Sequence, residues 1–282
     1  MNKLRTIFLS AILLASGVRL QASAAFEISE PLSFDKSAPL NSEPIPVNPD
    51  QKLLIAFTAS TTGESTIEEN ARISIQVKKG FASLLQIDFL DDGGNKVGST
   101  EVSILSKSPR IYGRVMYPPP GSKAVNLQIV PAKRENVKVE KLSVSNELPQ
   151  KEKAGINPHP TFEFGDLCTY GYTLGYGGGV YTRPDGKTVL NSGFAGNSPI
   201  FPIRPDSYYE IDCRGIPYLG RKSSIMLQCF GEDLRKPIKS MRVQVSQQGV
   251  TTKLLIPKNV KRANFGFYYV ILEELRVTES SK

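Results

Sequence analysis

Residues 84–95 read LLQIDFLDDGGN. Leu85, Ile87 and Phe89 alternate with other residues, and the run stops on a cluster of Asp, Gly and Asn. Alternation with period two puts one apolar face of a strand on a core and leaves the other wet, and the cluster that ends it has the chemistry of a tight turn. The same rhythm runs through Leu53, Ile55, Phe57, through Ile73, Ile75, Val77, through Val125, Leu127, Ile129 and through Leu142, Val144. It returns in Tyr209, Ile211, Cys213, in Ile225, Leu227, Cys229 and in Met241, Val243, Val245. No window shows a helical period, and residues 64–72 (ESTIEENAR) predict at most one short helical turn. Short alternating strands separated by Gly, Pro and Asn predict an all-β chain of antiparallel β-sandwich type.

The pattern occurs twice. Pro46 to Asp50 (PVNPD) recurs as Pro202 to Asp206 (PIRPD), an offset of 156. Leu85, Ile87, Phe89 fall on Ile225, Leu227, Cys229 at 140, Pro119–Leu127 on Pro257–Phe265 at 138, and Val139–Val144 on Leu272–Val277 at 133. Order is kept while the offset falls, as expected of a tandem duplication whose second copy has shorter loops. The expected organisation is a leader at 1–24, a first β-sandwich at 25–146, a linker at 147–160 and a second β-sandwich at 161–282. The leader reading rests on Lys3 and Arg5, the apolar run Ile7–Val18, and small residues at Ala22-Ser23-Ala24, with Ser23-Ala24-Ala25 as a shifted alternative. That run is too short to span a bilayer, and no later one is long enough. A secreted, periplasmic or cell-surface location follows. The Pro-rich linker (ELPQKEKAGINPHP) holds the only histidine, His159, which is expected to face solvent.

Each copy opens with a Pro-Asp turn into an alternating strand, continues through a strand ending in an acidic turn (Asp91–Asn95; Glu232-Asp233), and closes with a Pro-led strand and a short apolar one. This order resembles the galactose-binding-like jelly roll of carbohydrate-binding modules in bacterial secreted proteins. The resemblance implies eight or nine strands per unit, a sugar-binding face or loop rim, and often a structural calcium. Such modules commonly stack sugars on Trp, which this chain lacks.

The candidate ligand site is the Tyr- and Gly-rich stretch Phe164–Lys187, with Tyr170, Tyr172, Tyr176 and Tyr181 among five glycines. A Tyr ring offers a flat apolar face and a polar tip, and Gly admits close backbone approach. The alternative is that these tyrosines cover the end of the sandwich. Asp91, Asp92 and Asn95 offer hard oxygen ligands for calcium, or simply a hairpin turn. In Tyr208-Tyr209 and Tyr268-Tyr269, strand alternation predicts that one of each pair is core.

Composition excludes several chemistries. One His and three Cys cannot build a multi-His or Cys₄ zinc centre, and no H-E-x-x-H, G-x-S-x-G, C-x-x-C or phosphate loop is present. Cys213 and Cys229 share the inward phase; if their strands form a hairpin, they are too far apart to bridge and act as buried thiols. Pairing of either with Cys168 stays open. Losing Lys3, Arg5 and Arg19 with the leader takes the formal charge from +8 to +5. The remaining basic residues are scattered (Lys78-Lys79, Arg221-Lys222, Lys261-Arg262), which gives no support for nucleic-acid binding. The leading reading is a non-catalytic binder of poly- or oligosaccharide, neutral or anionic, with no cofactor beyond a structural calcium. A structural or protein-interaction component of the cell envelope is the runner-up. A divergent glycoside hydrolase using carboxylates such as Glu163, Asp166 or Asp185 is a minor third.

Overall fold

The computed structural model describes residues 26–28, 30, 32–34, 40–62, 83–132, 135–148, 155–162, 171–175 and 178–281. The leader, residues 64–72, Glu163, Asp166, Cys168, Tyr170 and Tyr176 lie outside them. The described residues are all-β, and the strands among them pair antiparallel.

The first half contains β1 (Phe26–Ile28), β2 (Leu32–Phe34), β3 (Ile45–Pro46), β4 (Leu53–Thr61), β5 (Ser83–Leu90), β6 (Lys96–Ile104), β7 (Arg110–Met116), β8 (Ala124–Val130) and β9 (Val137–Ser145). One sheet runs β1-β9-β4-β7 with β2 also on β9, and another runs β3-β8-β5-β6. The alternating residues face inward as expected: β5 is buried at Leu85, Ile87 and Phe89 and half-buried between them. Both sheets feed one core, in which Phe57 stacks on Tyr112 at 5.0 Å.

The second half contains β10 (Thr173–Leu174), β11 (Gly179–Thr182), β12 (Thr188–Asn191), β13 (Gly196–Asn197), β14 (Phe201–Pro202), β15 (Tyr208–Pro217), β16 (Ser224–Phe230), β17 (Lys239–Val243), β18 (Val250–Leu255), β19 (Arg262–Tyr268) and β20 (Val270–Ser280). Its sheets run β11-β12-β20-β15-β18 and β10-β13-β19-β16-β17, with β14 also on β19, around a second core.

The four sequence offsets hold at the level of individual ladders. Phe89 sits opposite Val125, and Cys229 opposite Ala263; Pro46 sits opposite Ala124, and Pro202 opposite Arg262. The ladder that the last strand of each half makes with its long partner shifts register at the matching point, between Thr58 and Ala59 of β4 in one and between Arg214 and Gly215 of β15 in the other. A β-bulge is a local defect set by particular residues, so its recurrence in register is a stronger sign of common design than alternation alone.

Two expectations need correction. The strands carrying Cys213 and Cys229 do not form a hairpin: β15 and β16 belong to different sheets that face each other across one core. Pro217 and a short 3₁₀ turn at Tyr218–Gly220 carry the chain across. Both cysteines are free and buried, and burial pushes the Cys213 thiol up to about 12 and that of Cys229 to about 11. His159, expected in solvent, is fully buried.

Residues 155–160, the end of the expected linker, run along β20. Ile156 N–H donates to the Val277 carbonyl (2.7 Å), and Leu275 N–H donates to the Pro160 carbonyl (3.0 Å). The Asn157 side chain donates to the Leu275 carbonyl at 2.6 Å and accepts from Val277 N–H at 2.8 Å. Gly155 is required here, since a Cβ on it would lie 2.5 Å from the Val277 carbonyl oxygen. This segment occupies the place that β1 takes on β9, where Ile28 faces Leu142.

From that position His159 Nε2 accepts the Val115 N–H of β7 at 2.7 Å, and Tyr117 donates its hydroxyl to the Ile156 carbonyl at 2.6 Å. Among the described residues β7 is the outer strand of its sheet. A buried N–H on such an edge must find an acceptor, and the imidazole supplies it. His159→Ala is therefore expected to lower stability by about 1–3 kcal/mol, read by urea denaturation. A second expectation concerns the thiols: Cys213 and Cys229 stay unreactive to a thiol reagent at pH 8 in the native protein and react on unfolding. Rapid native labelling of either would refute the burial.

Candidate functional site

The two halves differ most at one place. In the first, Ile28 on β1 and Leu32 on β2 are only four residues apart along β9. In the second, Pro160 and Leu190 hold the matching places on β20, separated by thirty residues. The Tyr- and Gly-rich stretch is therefore an insertion of the second half. Its described parts lead to two surface features, an aromatic rim and a charged cleft.

The rim is built by three connections. The loop from β12 to β13 carries Phe194, the β19–β20 turn carries Tyr269, and the 3₁₀ turn carries Tyr218 and Leu219. Ser192 fixes the first two together, because its backbone N–H donates to the Val270 carbonyl at 2.9 Å and its Oγ accepts the Val270 N–H at 3.0 Å. Tyr218 N–H donates to the Tyr269 carbonyl at 2.7 Å and brings in the third. The insertion reaches the same place: Gly175 N–H bonds the Ser192 and Ala195 carbonyls, and a Cβ at Gly175 would lie 2.6 Å from the Ala195 oxygen.

On this frame Phe194, 59% exposed, meets Tyr269 edge-on at 5.3 Å, and the Arg221 guanidinium stands over the Tyr269 ring at 5.7 Å. Leu219 is 74% exposed, and Tyr268 is 45% exposed at the end of β19. Leu219 and Tyr269 both have positive φ, 53° and 49°. A bulky residue in the left-handed region is strained, and such strain concentrates where a side chain must be presented.

The cleft, about 730 Å³, lies between the inserted hairpin and β20. Arg183 bonds both Asp185 and Glu273, Lys187 approaches Glu273 at 3.5 Å, and Arg276 pairs with Glu274. The Asp185 carboxyl is held below the usual carboxylate range, first by the Lys187 N–H and then by Arg183. A proton donor in glycoside hydrolysis needs the opposite shift.

The sequence-predicted residues fall differently. Tyr172 is a correction: it is 4% exposed and packs between Phe162 (6.1 Å) and Phe267 (5.8 Å), so its ring fills the core and cannot stack on a ligand. Tyr181 is half-buried, and because its neighbour Val180 enters the core it lies on the outer face of β11. Of the tyrosine pairs, Tyr209 is core beside half-buried Tyr208, as alternation requires. Neither Tyr268 nor Tyr269 is core, because the strand ends at Tyr268 and the turn breaks the alternation.

At the acidic turn, Asp91 Oδ1 accepts the Gly93 and Asn95 N–H groups at 2.9 and 2.8 Å, and Asn95 Nδ2 bonds the same carboxylate. Asp91 thereby closes its own hairpin, while Asp92 and Asn95 are exposed. No cluster of three His, Cys, Asp or Glu side chains suited to a metal occurs among the described residues. Nor, among them, is any helix long and apolar enough to cross a membrane. Sequence reasoning missed Phe194, though its signal was legible: Asn191-Ser192-Gly193 is a turn signature, and an aromatic one residue later sits on a loop.

No family model matches the sequence, and no curated protein matches it. Among solved structures, the chain is similar to the tandem CBM22-1–CBM22-2 domain of Paenibacillus barcinonensis Xyn10C, with 10% identity, TM-score 0.31, 83% of this chain and 80% of that one covered. It is also similar to carbohydrate-binding modules of the β-sandwich superfamily (12%, TM-score 0.27, 80% and 98% covered). A structure of allantoicase matches at 8% identity and TM-score 0.29, with 82% and 74% covered. No residue role is carried over from any of them.

Two outcomes follow from the geometry. Leu219→Gly is expected to unfold at or above the wild-type midpoint despite the loss of a large side chain, because Gly relieves the left-handed strain; a lower midpoint would show that Leu219 serves the fold. The folded-state pKa of Asp185 is lowered, so its pairing with Arg183 is still present at the ordinary carboxylate value and is lost only as pH falls through the lower folded value. An NMR titration of its carboxyl group checks the sign.

Proposed function

We propose that this is an exported, non-catalytic carbohydrate-binding protein of two tandem jelly-roll units, and that the second unit holds poly- or oligosaccharide on the aromatic rim. One observation carries the reading: Phe194 and Tyr269 are presented together on fixed loops with Arg221 over the Tyr269 ring. A sugar ring has apolar C–H faces and a hydroxyl edge, and an exposed aromatic beside a guanidinium offers a surface for each. Rigid aromatic groups lose little conformational entropy on binding, and the stitched loops are already ordered. Export follows from the leader-like N-terminal sequence.

A second reading has its own support. Leu219, an aliphatic side chain in the same rim, suits a protein partner better than a glycan. On that reading the protein is an interaction component of the cell envelope.

The test is retention on a panel of neutral and acidic polysaccharides, with and without calcium. Wild type is expected to be retained on at least one polymer, and Phe194→Ala/Tyr269→Gly to bind it about tenfold more weakly while unfolding at an unchanged midpoint. Tyr269→Gly removes the ring and the strained backbone together, so loss of binding would not reflect loss of fold. No retention across the panel would overturn the carbohydrate reading in favour of a protein partner.

A further inference from the structure

Two atoms and one guanidinium around the charged cleft have no partner among the described residues. Thr161 Oγ1 and Arg276 Nε are buried, and no hydrogen bond to either occurs among the described residues. Arg214, also in the lining, is exposed and forms no ion pair among the described residues. The carboxylates are already engaged: Glu273 with Arg183 and Lys187, Glu274 with Arg276, and Asp185 with Arg183. Arg214 is thus the cation of the lining that has no carboxylate partner among the described residues.

The internal repeat shows that these cations are not demanded by the fold. Arg214 faces Glu274 across the ladder, and Asp212 faces Arg276. The same positions of the first half hold Thr58 facing Lys141 and Ala56 facing Ser143, with the bulge directly after Thr58 as it is after Arg214. A ladder that forms with Thr58 and Ser143 does not need Arg214 and Arg276. The first half also lacks the inserted hairpin that walls the cleft. Cations and wall occur together, in one half only.

We infer that this cleft is an oxyanion site, and that its ligand is the carboxylate of an acidic sugar. Arg214, exposed in the lining, meets the anion, and the Arg276 guanidinium, which also lines the cleft, adds its positive charge. A hydrogen bond from an unpaired guanidinium to a carboxylate is charge-assisted and stronger than one between neutral groups. The volume of about 730 Å³ exceeds what a bare ion fills and suits one or two sugar rings. The choice of a sugar as carrier rests on the carbohydrate reading above; the oxyanion site itself does not.

Calorimetric titration of the full-length protein with sodium glucuronate, inorganic phosphate, inorganic sulfate and glucose tests it. Glucuronate is expected to bind and glucose not. Arg214→Thr/Arg276→Ser, which installs the first half's residues, is expected to weaken glucuronate binding about tenfold or more and to keep the cooperative unfolding of wild type. Phe194→Ala/Tyr269→Gly is expected to bind glucuronate as wild type does, so a failed rim leaves the cleft standing. Binding of phosphate or sulfate alone, lost in the arginine variant, would uphold the oxyanion site and overturn the sugar carboxylate as its ligand. Absence of binding by every anion, equal binding of glucose, or wild-type affinity in a folded arginine variant would overturn the site.

Discussion

The last strand of the chain has to satisfy hydrogen-bonding groups on both edges, and the second half is arranged around how it does so. One edge of β20 pairs along its length with β15. The other is shared between residues 155–160 and β12. Those two partners are thirty residues apart in sequence, and the chain between them must leave the sheet and return. That excursion forms the wall of the cleft and sends Gly175 onto the rim loop. The first half meets the same requirement on β9 with β1 and β2, only four residues apart, and has no room for such an excursion.

The same segment joins the halves. Because residues 155–160 are held by β20 on one side, His159 is delivered in a fixed position to β7, the outer strand of its sheet among the described residues. Tyr117 closes the contact from the first half, and Gly171, inserted-segment backbone at φ 73°, lies against the Arg114 guanidinium. A joint made of buried, directional hydrogen bonds resists hinge motion better than a flexible tether does.

Much of the fold was legible because period-two burial is a local property. Leu85, Ile87 and Phe89 declare their inward face in sequence, and the register of β5 against β8 repeats in β16 against β19. The site was less legible because neighbours in sequence take unrelated fates. Tyr172 looks like Tyr181 in a Gly-rich run, yet one lies between two phenylalanines and the other on an outer face. Alternation correctly placed Tyr209 and failed at Tyr269, where a left-handed turn residue ends the strand. His159 misled for the opposite reason: polar, Pro-flanked sequence reads as solvent-exposed spacer, and nothing local reveals an unpaired N–H waiting on another strand.

The sequence by itself determined the strands of the core and their inward faces, because alternation and turn chemistry act over a few residues and need no knowledge of what lies opposite. It also determined which chemistries are absent, since a chain with one histidine and three cysteines cannot assemble a multi-His or Cys₄ centre however it folds. Only the tertiary structure decided that Cys213 and Cys229 belong to facing sheets, that residues 155–160 act as a strand rather than a spacer, and that Phe194, Tyr269 and Arg221 meet. These are encounters between residues far apart in the chain. They are set by which edge of which sheet remains unpaired, a quantity that exists only once the sheets have formed.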